Sequence, residues 1–377
     1  MVKKKGYYLS KISFIIILFT FSWCVEPYDF EIVNNDPILV IESYISNKSY
    51  LESLEFPSDG RYFEVKLKQT SDVININDQP VSGAMVKLVN NLNKEWEYDE
   101  IPQGSGRYLL MEDNFKAQQS TQYKLQVNLA NGKAFESSWE ELPESVSQKM
   151  GGISIKEVVR QGYVYESGEE VIRDLEGIDI YVNLPENINS SPLFIKWNFT
   201  PTWTYIAPFT SSYQDFHKCW ISNSYYLSNF VLQKDYIGGY PQKLQFVETT
   251  GNDRIYEEFS LLINQYTMNE KYFLFWQDLL EQSEKGGLFD APPYNLQTNF
   301  TTLNSNNKVS GYFGIVEEQA QRWYFTKSEL SYIVEDNLLE LCRIVYGRGE
   351  PPGGPPCYSC LEYPQGNSTN VKPEWWR

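Results

Sequence analysis

The chain has 377 residues, 49 acids against 32 bases, one histidine and a formal net charge of −17. An acidic surface of this kind repels phosphate backbones, which excludes nucleic acid as the expected partner. A single histidine rules out multi-histidine metal sites, and the length exceeds that of a usual single core, so two domains are expected.

Residues 1–23 have the layout of a secretory signal peptide. Lys3, Lys4, Lys5 and Lys11 precede an uncharged apolar run, Ile12 to Trp23, that is too short to span a bilayer. Cys24, the first cysteine, stands directly after that run, where bacterial lipoproteins carry their acyl chains. The expectation is an exported protein tethered by a lipid on Cys24. Residues 24–36 then form an acidic tether, with Glu26, Asp29 and Glu31 close behind the cysteine.

The fold class predicted is mainly β. Residues 37–145 read as a β-sandwich of immunoglobulin or prealbumin type. Phe63, Val65 and Leu67 alternate with Glu64, Lys66 and Lys68, and Tyr123, Leu125, Val127 and Leu129 repeat the two-residue period. Asn131-Gly132 supplies a tight hairpin turn into Ala134 to Trp139. Gly83 to Val89, Trp96 to Ile101 and Arg107 to Leu110 add short strands.

Residues 146–346 read as a second β-rich domain. Glu144 to Gly177 is charged and weakly periodic, and is expected to link or wrap the domains. Ile178, Ile180, Val182 and Leu184 then mark one strand. Ile195, Trp197 and Phe199 mark another, with Lys196, Asn198 and Thr200 on its wet side and Pro201 breaking it. One amphipathic helix is predicted near 268–285. Thr267 and Glu270 form its capping box, Tyr272, Phe275, Trp276 and Leu279 its apolar stripe, and Gly286 its stop. That stripe reads as core packing without a binding role. Residues 347–377 form a Pro/Gly/Cys-rich tail ending in Trp375 and Trp376, which could plug a surface groove or sit on a partner.

Four cysteines remain after Cys24: Cys219, Cys342, Cys357 and Cys360. In an exported chain they suggest two disulfides, with three pairings open. The Cys357–Cys360 spacing, with His217 near Cys219, also suits zinc or redox chemistry. The Pro/Gly-rich approach from Gly349 to Pro356 favours a structural role instead. No phosphate loop, dinucleotide fingerprint or calcium-loop spacing is present, so no cofactor is expected. Glu169-Glu170 and Glu317-Glu318 read as solvated acids rather than a glycosidase pair, and His217 as structural, so the chain is expected to be noncatalytic. Aromatics make up 16% of residues, and Trp203, Tyr205, Trp220, Trp375 and Trp376 are the candidate ligand or partner contacts.

Several pieces in order resemble the Bacteroidota outer-membrane lipoprotein family known as domain-of-unknown-function family 4249. They are Cys24-Val25-Glu26-Pro27, Leu39-Val40-Ile41-Glu42 and Pro80-Val81-Ser82-Gly83-Ala84, then Gly287-Leu288-Phe289-Asp290-Ala291-Pro292-Pro293 and Gly311-Tyr312-Phe313. Cys357-Tyr358-Ser359-Cys360 and Lys372-Pro373-Glu374-Trp375-Trp376 complete the set; the family often has Asp-Phe-Trp where this chain has Glu-Trp-Trp. The resemblance implies a lipid-anchored outer-membrane protein, open to the cell surface, often encoded beside a TonB-dependent receptor. It supplies no catalytic residues. By analogy with substrate-capturing lipoproteins, the implied role is a binding or accessory component of a TonB-dependent transporter. A surface glycosidase or peptidase, and an adhesive surface protein, are the competing readings.

Overall fold

A computed structural model describes residues 37–70, 79–145, 147–166, 168–223, 230–249, 252–284, 297–304, 308–334, 342, 356–364 and 366–377. From Ile38 onward these belong to one compact unit. The expected signal segment, Cys24, the expected tether, Gly286 and the 287–293 piece lie outside the described residues.

The chain is mainly β, with eighteen strands and two α-helices among the described residues. The first half contains β1 (Leu39–Ser46), helix α1 (Tyr50–Leu54), β2 (Phe63–Gln69), β3 (Gln79–Pro80) and β4 (Met85–Asn90). It continues through β5 (Glu95–Glu100), β6 (Arg107–Leu110), β7 (Tyr123–Asn128) and β8 (Ala134–Ser137). Next come β9 (Ile153–Glu166), β10 (Glu169–Asn183), β11 (Leu193–Ile206), β12 (Lys218–Ser222), β13 (Phe230–Asp235), β14 (Pro241–Glu248) and β15 (Glu258–Met268). Helix α2 (Glu270–Glu284), β16 (Phe300–Thr302), β17 (Val309–Thr326) and β18 (Asn367–Thr369) follow.

Fifteen strands join in the order β16-β8-β7-β4-β5-β6-β2-β1-β17-β15-β11-β12-β18, with β3 on β2 and β13 on β11; β14-β10-β9 form a separate sheet. Strand β5 turns the corner of the first core. Its start pairs with β4, whereas Asp99 and Glu100 pair with β6. Two strips of sheet therefore face each other, and Ile41, Val65 and Leu67 from one share a core with Leu88, Leu125 and Val127 from the other. This is a sandwich, but residues 37–145 do not complete it. Strand β1 pairs in parallel with β17, and Phe300, Phe313 and Ile315 enter the same core. Strand β17 is eighteen residues long, so its far end also supplies Phe325 to the second core. There Trp197, Trp203, Phe259 and Ile263 of the large sheet meet Ile178, Ile180 and Val182 of β10.

Four local expectations change. The 144–177 segment is no linker: β9 and β10 pair as one long hairpin. Its outer half has no buried face, with Tyr163 and Tyr165 each 74% exposed, which is why no hydrophobic period marks it. Pro201 does not break β11. It sits where the strand's outer neighbour changes from β13, ending at Asn198↔Phe230, to β12, beginning at Thr202↔Ser222, so its missing N–H interrupts no ladder. Thr267 still belongs to β15, and α2 starts at Glu270 without the expected capping box. Lys196 is not on a wet face, as described below.

The cysteines pair as Cys219–Cys360 and Cys342–Cys357. The first bridge spans 141 residues and holds the tail against β12, where β18 adds its rungs. Long closed loops gain most from cross-linking, so Cys360→Ala should lower the unfolding free energy by about 2–4 kcal/mol. Urea denaturation against the oxidised protein measures it, and an unchanged midpoint would show that the bridge carries no stability.

Candidate functional site

The two-residue period that sends Ile41, Ile195 and Ile263 into the cores sends Val40, Glu42 and Tyr44 of β1, Lys196 and Asn198 of β11, and Tyr266 and Met268 of β15 to the opposite face. Helix α2 lies over that face. Its stripe, Tyr272, Phe275, Trp276 and Leu279, forms the roof of a cleft of about 350 Å³. Tyr272 stacks on Tyr312 of β17 with ring centroids 5.0 Å apart. Gly314 permits this approach: a Cβ there would come within 2.1 Å of the Tyr272 ring.

Lys196 sits at the bottom of the cleft and is only 6% exposed. Its Nζ lies 3.3 Å from the centroid of Trp276, 5.1 Å from that of Phe230 and 6.0 Å from that of Tyr266. No carboxylate pairs with it among the described residues, and burial pulls its pKa down to about 7. Two residues along the same face, the Oδ1 of Asn198 is buried without a hydrogen-bond partner among the described residues. Tyr44 and Tyr266 bring their hydroxyls to 3.4 Å. Burial pushes the phenols of Tyr44, Tyr272 and Tyr312 upward, so all three stay neutral. The acids at the mouth have partners: Glu42 meets Lys68 at 3.4 Å, and Glu64 meets Lys66 at 3.4 Å and Arg107. Chemically, this is an aromatic slot that encloses a cation, an unpartnered amide oxygen and a pair of phenols.

The family model described as domain of unknown function (DUF4249) matches residues 25–322. The chain belongs to that family. No curated protein and no solved structure matches it. The DUF4249 match takes in β1, β11, β15 and α2, and hence most of the cleft wall. The tail of this DUF4249 protein, with Cys342, Cys357, Cys360, Trp375 and Trp376, lies beyond it.

The contact residues expected from the sequence lie elsewhere. Trp203 is fully buried and Tyr205 nearly so, both packed against Tyr363 at 5.9 and 5.0 Å. Trp220 and Trp376 are buried against each other, and the Trp376 indole donates to Glu258 Oε2 at 2.8 Å. These four are packing residues and present no open surface, because strong aromatic character in a strand marks burial as readily as binding. Trp375 keeps partial exposure, with the Arg322 guanidinium 3.5 Å over its ring and its indole donating to Asp59 Oδ1 at 2.8 Å. The terminal pair thus docks the tail on its own chain.

Glu318 is not solvated but buried in an ion pair with Arg61, while Glu317 accepts from the backbone and side chain of Ser147 at 2.9 Å. Glu169 and Glu170 are exposed as expected. His217 Nδ1 shares a hydrogen bond with Thr210 Oγ1 at 2.9 Å. A second hollow of about 470 Å³ carries Glu140, Glu141 and Glu144, and its lining lysine, Lys271, is exposed.

The α2 stripe packs as its period predicts, Tyr272 and Phe275 joining Tyr266, Met268, Tyr312 and Val316 in a third core cluster. Lys196 beneath it is the residue that the sequence reading misplaced. Its one legible signal was its setting between Ile195 and Trp197 in an aromatic strand. Alternation alone cannot tell a face open to water from one covered by a helix.

Proposed function

We propose that this DUF4249 protein is a noncatalytic binding protein, exported, held at the outer membrane by a lipid on Cys24, and working beside a TonB-dependent receptor. The cleft under α2 carries the binding part of this reading. It is concave and apolar, with few polar groups converging inside, which is the usual make-up of a small-molecule site. Ligand rings would lie on Trp276 and Tyr272, each aromatic contact adding about 0.5–1.5 kcal/mol beyond its buried area. The basic leader, apolar run and cysteine support the lipid anchor, and the family resemblance supports the receptor partnership.

The test is affinity capture of the tagged protein from gently solubilised outer membranes, with the mass of its amino terminus measured in the same sample. An acylated Cys24 and a co-purifying β-barrel receptor are expected. Retention of Met1, or recovery of the protein without a barrel, would overturn the reading.

A further inference from the structure

We infer that the cleft selects a flat, apolar organic carboxylate that also bears a hydrogen-bond donor, placing the carboxylate on Lys196 Nζ and the donor on Asn198 Oδ1. This deepens the proposed function and rests on the cleft being its ligand site.

The two buried polar groups specify complementary ligand chemistry. An ammonium with aromatic rings around it and no anion beside it among the described residues lacks the partner that buried charges ordinarily have. A carboxylate supplies that partner. An orphaned carbonyl oxygen such as Asn198 Oδ1 calls for an N–H or O–H. The rest of the wall is mostly ring and aliphatic surface from Trp276, Phe275, Met268 and Val40. It is broken by the Tyr44 and Tyr266 hydroxyls, which engage each other, and by the Trp276 indole N–H. The ligand body must therefore be largely apolar, and flat where it meets the rings. A volume of about 350 Å³ stands at the small end of organic-ligand sites, which suits a one- or two-ring compound.

The chain's net charge of −17 repels anions at long range. Selection must therefore come from a desolvated contact within the cleft. The charged groups nearest the mouth, Glu42, Glu64 and Lys66, are engaged with one another or with neighbouring bases, and the surrounding phenols are neutral. Lys196 is thus the cation available inside.

Isothermal titration calorimetry of the purified full chain tests this with 6-hydroxy-2-naphthoate and its neutral isostere 6-hydroxy-2-naphthamide. At about pH 6, where Lys196 is protonated, the acid should bind at least about tenfold more tightly than the amide. Raising the pH through about 7 should erode that preference, because the free protein loses the Lys196 proton that the bound carboxylate requires. In Lys196→Met, whose side chain fills similar space, the preference should collapse towards one. Equal binding of acid and amide by the wild type, or a preference kept by Lys196→Met, would overturn the carboxylate inference and leave the cleft a binding site. Binding of neither compound would overturn both.

Discussion

Lys196→Met should make the protein more stable, by about 1–4 kcal/mol near neutral pH. Two effects oppose each other at this side chain. Stripping water from an ammonium costs several kcal/mol, whereas contact with the Trp276, Phe230 and Tyr266 rings returns about 2. Desolvation wins, which is why burial pulls the lysine down to about 7 from its ordinary 10.5.

The pH dependence has a definite sign. Between these two values the unfolded chain holds a proton that the folded chain has released, so Lys196 makes the wild type more stable as pH rises, by up to about 1.4 kcal/mol per unit. The clean window is about pH 7 to 9, since buried tyrosines with raised pKa values start to oppose folding at higher pH. Urea unfolding at a series of pH values should show the wild-type slope and its loss in Lys196→Met. A variant less stable than the wild type, or one with the same slope, would remove the case for an uncompensated buried charge. A residue kept at such a cost to folding is the kind expected to serve binding.

Arg61→Met is the opposite case and should destabilise by about 3–5 kcal/mol. The Glu318 carboxylate is 1% exposed; Arg61 Nε donates to its Oε1 at 3.1 Å and Ser46 Oγ to its Oε2 at 2.6 Å. Arg61 also lies over the Phe63 ring at 4.7 Å and donates from Nη2 to Ser46 Oγ at 2.7 Å, joining β1, β2 and β17. Removing the cation leaves an uncompensated charge in the interior. Adding Glu318→Gln to Arg61→Met should therefore recover much of the loss, and a double-mutant cycle in urea isolates the coupling. A single-variant cost below about 1 kcal/mol, or no recovery in the double variant, would show that the pair is not a structural clasp. Arg61 and Lys196 thus differ in one respect: among the described residues Arg61 has a carboxylate partner, Glu318, and Lys196 has none.

Much of the local structure was legible because strands with one buried face announce themselves in a few residues. Phe63-Val65-Leu67, Tyr123-Leu125-Val127 and Ile178-Ile180-Val182 are all buried as their alternation predicts. Asn131-Gly132 does turn the β7–β8 hairpin, with Gly132 at φ +83°. The β9–β10 hairpin escaped notice because its outer half buries neither face. The candidate site was the least legible part. The stripe of Tyr272, Phe275, Trp276 and Leu279 was plain, but a stripe specifies that a helix covers something, not whether a space remains beneath it.

By itself, then, the sequence determined the acidic character, the strand-forming segments, the amphipathic helix after β15 and the four cysteines that follow Cys24, since each depends on residues a few positions apart. Tertiary structure decided the parallel pairing of β1 with β17, the partner of each cysteine, the burial of Trp203 and Trp376, and the enclosure of Lys196 under α2. Those features join residues far apart in the chain, and their energies depend on which faces water can no longer reach. Nothing in the local period of a strand carries that information.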